Sequence, residues 1–133
     1  MTAVPTNKTK AKLAAGELCV GTMLVVQVET KEAVDRLDDL LSVPGVDAAL
    51  IGPTDLSLAL GVGGQMDHPS LVAAIEATMA ACARHKVVPA IHTNDVAMTA
   101  AWAQRGMRLV SINSEVGLLT GAARSAIGAI RSR

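Results

Sequence analysis

Two carboxylates, each placed after an apolar run, are the first residues in this sequence that could do chemistry. Glu29 stands at the end of the segment Gln27-Val28-Glu29 after the apolar run Leu24-Val25-Val26, and Asp55 follows the strand-like run Val46–Ile51 after a turn. The carboxyl ends of parallel strands share one edge of a sheet, and adjacent strands lie about 4.8 Å apart. Glu29 and Asp55 are therefore predicted to hold one cation between them, and oxygen ligands suit a hard divalent ion such as Mg²⁺ or Mn²⁺.

The turn in front of Asp55 has a composition that suits a binding loop. Gly52 lets the chain bend without a Cβ penalty, and Pro53 fixes φ and cannot donate to a sheet. Thr54 and Asp55 then begin a helix, so that peptide N–H groups point outward beside a carboxylate. The pattern predicts a loop that holds an anion and a cation together.

Both acids also have a purely structural interpretation. Asp55 is a common type of helix-capping residue, and Glu29 is favourably placed as a charge near the N-terminus of the next helix. Each acid taken alone leaves the choice open. The pairing of two acids at equivalent strand ends favours the metal site.

His92 is the histidine predicted to lie at the same site. A strand over residues 87–91 puts it at the edge of the sheet that carries the two acids. An imidazole there can take up or release a proton near neutral pH. The alternative is an ordinary loop imidazole that forms a hydrogen bond with Asn94 or Asp95.

Apolar runs and helical periodicities alternate along the chain, which predicts an α/β fold with a parallel sheet of about five strands. Residues 18–28 are strand-like over about twice the usual length of five or six residues, which indicates two fused strands. The other predicted strands cover residues 46–51, 87–91 and 107–112. The predicted helices include residues 30–41, 56–60 and 116–131.

The composition limits the class of protein. The chain has 133 residues, half of them hydrophobic, with no Phe, no Tyr and Trp102 as its one aromatic residue. One domain, residues 1–133, with a tightly packed aliphatic core is therefore predicted. Formal net charge is zero and no long apolar stretch is present, which argues against nucleic acid or a membrane as partner and predicts a soluble cytoplasmic protein.

Four short segments carry a resemblance to a known family. They read Gln27-Val28-Glu29-Thr30-Lys31-Glu32-Ala33, Pro44-Gly45-Val46-Asp47, Ile51-Gly52-Pro53-Thr54-Asp55-Leu56-Ser57 and His68-Pro69. In order and spacing they resemble the HpcH/HpaI-type class II pyruvate aldolases, which are metal-dependent (β/α)8 barrels. Residues 1–23 resemble the first helix and strand of such a barrel, and residues 24–133 resemble its last four strand–helix units.

The resemblance implies a carbon–carbon lyase. Its reaction would be the retro-aldol cleavage of a 4-hydroxy-2-oxo acid to pyruvate and an aldehyde, assisted by a divalent metal such as Mg, Mn or Co. Glu29 and Asp55 would be the metal ligands. The backbone of Gly52, Pro53, Thr54 and Asp55 would receive the pyruvate carboxylate.

The matched segments pass from the family's first strand to its fifth near residues 23–24. The early strands carry a His and an Arg in the family and have no counterpart here, so His92 is the side chain predicted to act as the base. A second interpretation is a truncated, non-catalytic member that binds metal and a 2-oxo acid, or an oligomerising α/β module. Because a TIM barrel has about 250 residues, a partial barrel completed by homo-oligomerisation is predicted. Two chains would pair edge to edge or exchange the final helix, with residues 18–28 at the contact in either case.

Overall fold

The computed structural model describes residues 24–131. Four strands are present in this part of the chain: β1 (Leu24–Val28), β2 (Val46–Ile51), β3 (Val88–Thr93) and β4 (Leu109–Ile112). The helices between and after them are α1 (Lys31–Asp35), α2 (Leu37–Leu41), α3 (Pro53–Ala59), α4 (Pro69–His85), α5 (Val96–Gln104) and α6 (Glu115–Arg131). Of the strand predicted over residues 18–28, only the last five residues lie within the described part.

The strands form one parallel sheet in the order β1-β2-β3-β4. Each strand pairs with the next strand along the chain, and one or more helices connect them. This sequential parallel order is the one found in (β/α) barrels. The predicted α/β class with parallel strands is confirmed.

The helices cover one face of the sheet and form an aliphatic core with it. Val28, Ile51 and Ile91 are fully buried on that face, and Leu71 and Ile75 of α4 pack against them. Leu71 and Ile75 lie four residues apart, about one helical turn, and so fall on one apolar side of α4. This apolar side explains why α4 has the most buried residues of the described helices. The core holds the strand ends in fixed positions.

Trp102 of α5 joins the same core from the side. Its ring is 5% exposed, and the Arg105 guanidinium lies 4.1 Å from the ring centroid. Arg105 also forms an ion pair with Glu76 of α4. This stacked arrangement fixes α5 against α4.

The predicted helix over residues 30–41 is divided into α1 and α2. Thr30 does begin the helix, since its hydroxyl accepts a hydrogen bond from the Ala33 N–H at 3.1 Å. Arg36 then leaves helical geometry, with φ −118° and ψ 26°, and its N–H donates to both the Glu32 and Ala33 carbonyls. The prediction of one continuous helix was wrong at this residue.

Other boundaries also differ from the sequence prediction, and the last strand, predicted over residues 107–112, covers Leu109–Ile112. The short helix predicted over residues 56–60 begins at Pro53, because proline is favourable in a first helical turn. The third strand, predicted over residues 87–91, covers Val88–Thr93 and so includes His92. Pro53 and Thr54 therefore belong to a helix, and His92 belongs to the sheet.

An ion-pair cluster connects α2 to the end of α4. The Asp38 carboxylate accepts a hydrogen bond from Arg84 at 2.8 Å and lies 2.7 Å from His85 Nε2. Hydrogen bonds from the Arg84 guanidinium, and then from His85, hold the pKa of Asp38 below its usual value. Because the carboxylate is exposed, the cluster contributes orientation more than stability.

The final helix, α6, has no buried residue. Leu119, Ile127 and Ile130 lie on it with exposed fractions of 73%, 49% and 74%. These exposed apolar side chains belong to an amphipathic pattern that ordinarily packs against another surface. Within residues 24–131, no helix combines the length and apolarity that crossing a bilayer requires.

Candidate active site

Four neighbouring positions form a row across the face of the sheet that is turned away from the helices. The strand register pairs Val28 with Ile51 and Ile51 with Ile91, so that one residue further on Glu29 comes beside Gly52 and Gly52 beside His92; His92 itself pairs with Ser111. The residue before each of the first three is fully buried under the helices. Because successive strand residues alternate between faces, the row itself lies on the opposite, open face.

Glu29 and Gly52 fit together closely. A Cβ atom built at Gly52 would lie 2.6 Å from Glu29 Oε1 and 3.1 Å from Glu29 Cγ. The Gln27 side-chain amide donates a hydrogen bond to the same Oε1 atom at 3.2 Å. The absence of a side chain at residue 52 therefore lets the carboxylate lie over the turn, and Gln27 orients it.

Asp55 is supplied by the first turn of α3. Gly52 precedes that helix, and its carbonyl accepts a hydrogen bond from the Leu56 N–H at 2.9 Å. The Thr54 and Asp55 N–H groups belong to the first turn, where N–H groups have no partner within a helix. They are thus available to an anion beside the carboxylate.

The buried Ser57 hydroxyl fixes this turn to the loop that follows it. Ser57 Oγ donates to the Thr54 carbonyl at 2.7 Å and accepts a hydrogen bond from the Gly64 N–H at 3.1 Å. The glycine-rich loop of residues 61–65 is therefore attached to the floor of the site. The hydroxyl gives the turn a defined conformation before any ligand binds.

A cavity of about 130 Å³ lies over this arrangement. The residues that line it are Gln27, Glu29, Leu50, Gly52, Pro53, Thr54, Asp55 and His92. All six residues that the sequence singled out therefore line one cavity. No lysine or arginine within the described residues lines it.

His92 is half-buried and held by a neighbour that the sequence did not indicate. Its Nδ1 lies 3.0 Å from the Ser111 hydroxyl of β4. The predicted alternative partners, Asn94 and Asp95, follow the strand, and Asp95 instead caps α5 by accepting a hydrogen bond from the Met98 N–H. With Nδ1 bonded to Ser111, Nε2 is the nitrogen that a ligand in the cavity can reach.

Two residues at the site, Gln27 and Ser111, were missed by the sequence analysis. Gln27 stands two positions before Glu29 on the same strand, so the period of two places both on one face. That signal was readable from the sequence. Ser111 required the β3–β4 register, which the sequence alone does not supply.

The donor set fits a hard divalent cation. Two carboxylates line one small cavity, and a side-chain amide lies beside them, so the oxygens present are of the kind Mg²⁺ and Mn²⁺ prefer. Within residues 24–131, no three His, Cys, Asp or Glu side chains come together as a metal site. Glu29 and Asp55 would thus hold an ion with most positions filled by water and substrate.

Comparison with known proteins finds a family model and sequence relatives that are all aldolases or lyases. The model of the HpcH/HpaI aldolase/citrate lyase family matches residues 6–122. The chain is 38% identical over 104 residues to a hydroxypyruvate/pyruvate aldolase of Roseobacter denitrificans. The aligned region covers 78% of this chain and 41% of that protein. It is 38% identical over 112 residues to a pyruvate aldolase of Rhizobium etli, covering 82% and 41%.

A solved structure agrees with these sequence relatives. An HpcH/HpaI aldolase/citrate lyase family protein from Burkholderia cenocepacia superposes with a TM-score of 0.79 at 28% identity, covering 95% of this chain and 48% of that one. The chain spans less than half the length of each of these three relatives. The family match and the structural superposition agree, and the chain belongs to the HpcH/HpaI aldolase/citrate lyase family.

Proposed function

We propose that this chain carries the metal-dependent half of a pyruvate aldolase site and catalyses retro-aldol cleavage of a 4-hydroxy-2-oxo acid to pyruvate and an aldehyde. The observation that supports this proposal most is the cavity lined by both Glu29 and Asp55, with His92 as its third ionisable side chain. Relatives named as pyruvate aldolases support the reaction class. Location in the cytoplasm and a single domain over residues 1–133 stay predictions of the sequence.

Each residue of the cavity has a role in this proposal. Glu29 and Asp55 would hold a divalent ion, Mg²⁺, Mn²⁺ or Co²⁺, and this ion would supply positive charge to stabilise the oxygens of the 2-oxo acid. The N–H groups of Thr54 and Asp55 receive the substrate carboxylate, because a helix start favours an anion. Gly52 and Pro53 shape that turn. His92 Nε2 takes a proton from the substrate and returns it.

Pyruvate release from a 4-hydroxy-2-oxo acid is expected to be weak, to require added Mn²⁺ and to stop when EDTA is added. His92→Ala is expected to lower kcat by about 100-fold or more, since a positioned base contributes about 10²–10⁴-fold. The measurement is coupled pyruvate detection with and without chelator. His85→Ala is the matched control, because His85 contacts Asp38 far from the cavity and its loss should leave kcat unchanged.

Fast turnover that persists in EDTA would contradict the metal-dependent mechanism. A second function, binding of metal and a 2-oxo acid without turnover, is favoured by one observation: no cation from Lys or Arg lines the cavity among the described residues. Such a site lacks a second positive group to stabilise developing charge. Pyruvate binding by calorimetry without pyruvate release would support this second function.

We also propose that the chain acts as a homo-oligomer. Within residues 24–131, β1 and β4 are the outer strands of an open sheet, and α6 exposes an apolar side. Open sheet edges and exposed apolar helices favour association. Light scattering is expected to give a mass well above the 13.6 kDa of one chain at micromolar concentration.

The double substitution Leu119→Glu and Ile130→Glu is expected to shift this mass toward the monomer, because it places charge on the exposed side of α6. Val96→Glu is the control: Val96 is 69% exposed at the start of α5, where glutamate is tolerated. A compact monomer in the parent chain would contradict the assembly proposal.

A further inference from the structure

A second cavity of about 280 Å³ adjoins the one that holds the two acids. Its lining residues are Pro53, Thr54, Met66, His92, Thr93, Asn94, Asp95 and Met98. Three of these, Pro53, Thr54 and His92, also line the smaller cavity. The two cavities are therefore neighbours that share a wall, and His92 stands in that wall.

We infer that the larger cavity receives the aldehyde half of the substrate, and that it selects aldehydes without a negative charge. This inference rests on the proposed function, because it assigns the pyruvate half to the smaller cavity. The C3–C4 bond of the substrate would lie at the boundary between the two cavities, with C3 in the smaller cavity and C4 in the larger one. His92 is then placed beside the C4 hydroxyl.

The shared wall agrees with the chemistry of bond cleavage. His92 Nε2 takes the proton of the C4 hydroxyl, the oxygen electron pair forms the aldehyde C=O, and the C3–C4 bond breaks. The bonding electrons pass to the pyruvate half as its enolate, which takes up at C3 the proton that His92 carries, so that His92 is neutral again. In the reverse direction His92 takes a proton from the pyruvate methyl group and gives it to the new C4 oxygen, so atoms and charge balance.

The selectivity follows from the residues that line the larger cavity. Met66 and Met98 are half-buried and supply adaptable apolar surface for an alkyl chain. Asp95 is the one charged side chain in the lining, and its Oδ1 accepts a hydrogen bond from the Met98 N–H at 2.7 Å. A carboxylate on the aldehyde would meet this like charge with no lysine or arginine among the lining residues to balance it.

The cavity is large enough to hold a short aldehyde. Sites for drug-sized ligands occupy about 300–1,000 Å³, and this cavity lies just below that range. A four-carbon aldehyde is therefore a suitable probe. Butanal and 4-oxobutanoate have equal chain lengths and differ in one end group, a methyl or a carboxylate.

The first experiment measures binding without turnover. In the full chain labelled with ¹³C-methyl methionine, butanal is expected to shift the NMR signals of Met66 and Met98. Met79, a half-buried methionine on α4 that lines neither cavity, is the internal control and should not move. Unmoved signals of Met66 and Met98 at millimolar butanal would overturn the inference.

The second experiment measures selectivity in the condensation direction with saturating pyruvate and Mn²⁺. The parent chain is expected to favour butanal over 4-oxobutanoate by about tenfold or more in kcat/KM. Asp95→Asn should narrow this ratio by about 3- to 10-fold, because it removes the charge and asparagine can still cap α5. Asp67→Asn is the matched control, since Asp67 does not line this cavity and its charge should not affect the ratio.

Exchange of the pyruvate methyl protons with deuterated solvent tests the smaller cavity separately from the larger one. Exchange reports on the smaller cavity and needs no aldehyde. Suppose that the parent chain exchanges these protons. Equal kcat/KM values for the two aldehydes would then overturn the inference and leave the proposed function intact. So would a butanal to 4-oxobutanoate ratio of kcat/KM that Asp95→Asn does not change. Absence of exchange contradicts the proposed function, and the methionine signals still decide whether the cavity binds an aldehyde.

Discussion

Replacement of Glu29 or Asp55 by alanine is expected to weaken Mn²⁺ binding by at least about 100-fold and to abolish metal-dependent pyruvate release. Loss of a partner that merely orients a ligand already costs about 10–100-fold in metal affinity, and in the proposed site each carboxylate is one of two protein ligands. Calorimetric titration of the two variants measures the effect. The parent affinity itself should be modest, because water fills most coordination positions.

Glu32→Ala is the matched control for this experiment. Glu32 lies three residues from Glu29 in the first turn of α1, is exposed and does not line the cavity. Its loss should leave the Mn²⁺ titration unchanged. If Glu29→Ala and Asp55→Ala bind Mn²⁺ as well as the parent chain does, the ligand assignment is wrong.

Substitution of Gly52 by alanine is expected to lower Mn²⁺ affinity by about 10–100-fold while the fold stays intact. The backbone at Gly52 has φ −102° and ψ 90°, a conformation that alanine can adopt, so no backbone strain arises. The new methyl group would instead lie 2.6 Å from Glu29 Oε1 and push the carboxylate away. Calorimetry and thermal unfolding together separate the two effects.

Gly121→Ala provides the comparison for this substitution. Gly121 lies within α6 with no atom near its Cβ position, and alanine is the better helix former by about 1 kcal/mol. It should keep full Mn²⁺ affinity and at least parental stability. Parental Mn²⁺ affinity in Gly52→Ala would show that the Glu29 carboxylate does not depend on the space above residue 52.

Much of the fold was predictable because its local signals are strong. The strand Val46–Ile51 is apolar and bounded by turn residues, and its predicted limits are those of β2. The rule that parallel strands end at one edge brought Glu29 and Asp55 together without any knowledge of distances. These features depend on periodicity and topology, which a sequence carries directly.

The parts that sequence could not supply depend on contacts between distant residues. The pairing of His92 with Ser111 joins residues 19 positions apart and follows from the β3–β4 register. The larger cavity requires Met66 from a glycine-rich loop to meet Met98 from α5. The break at Arg36 is a backbone choice between two competing carbonyl acceptors, and no residue type in that segment signals it.

The position of Trp102 gives this protein a built-in optical probe. The chain contains one tryptophan and neither tyrosine nor phenylalanine, so its entire intrinsic fluorescence comes from one side chain. That indole is buried on α5 under the Arg105 guanidinium, and α5 also carries Met98 of the larger cavity. Emission wavelength and quenching therefore describe the environment of a single helix, without background from any other part of the molecule.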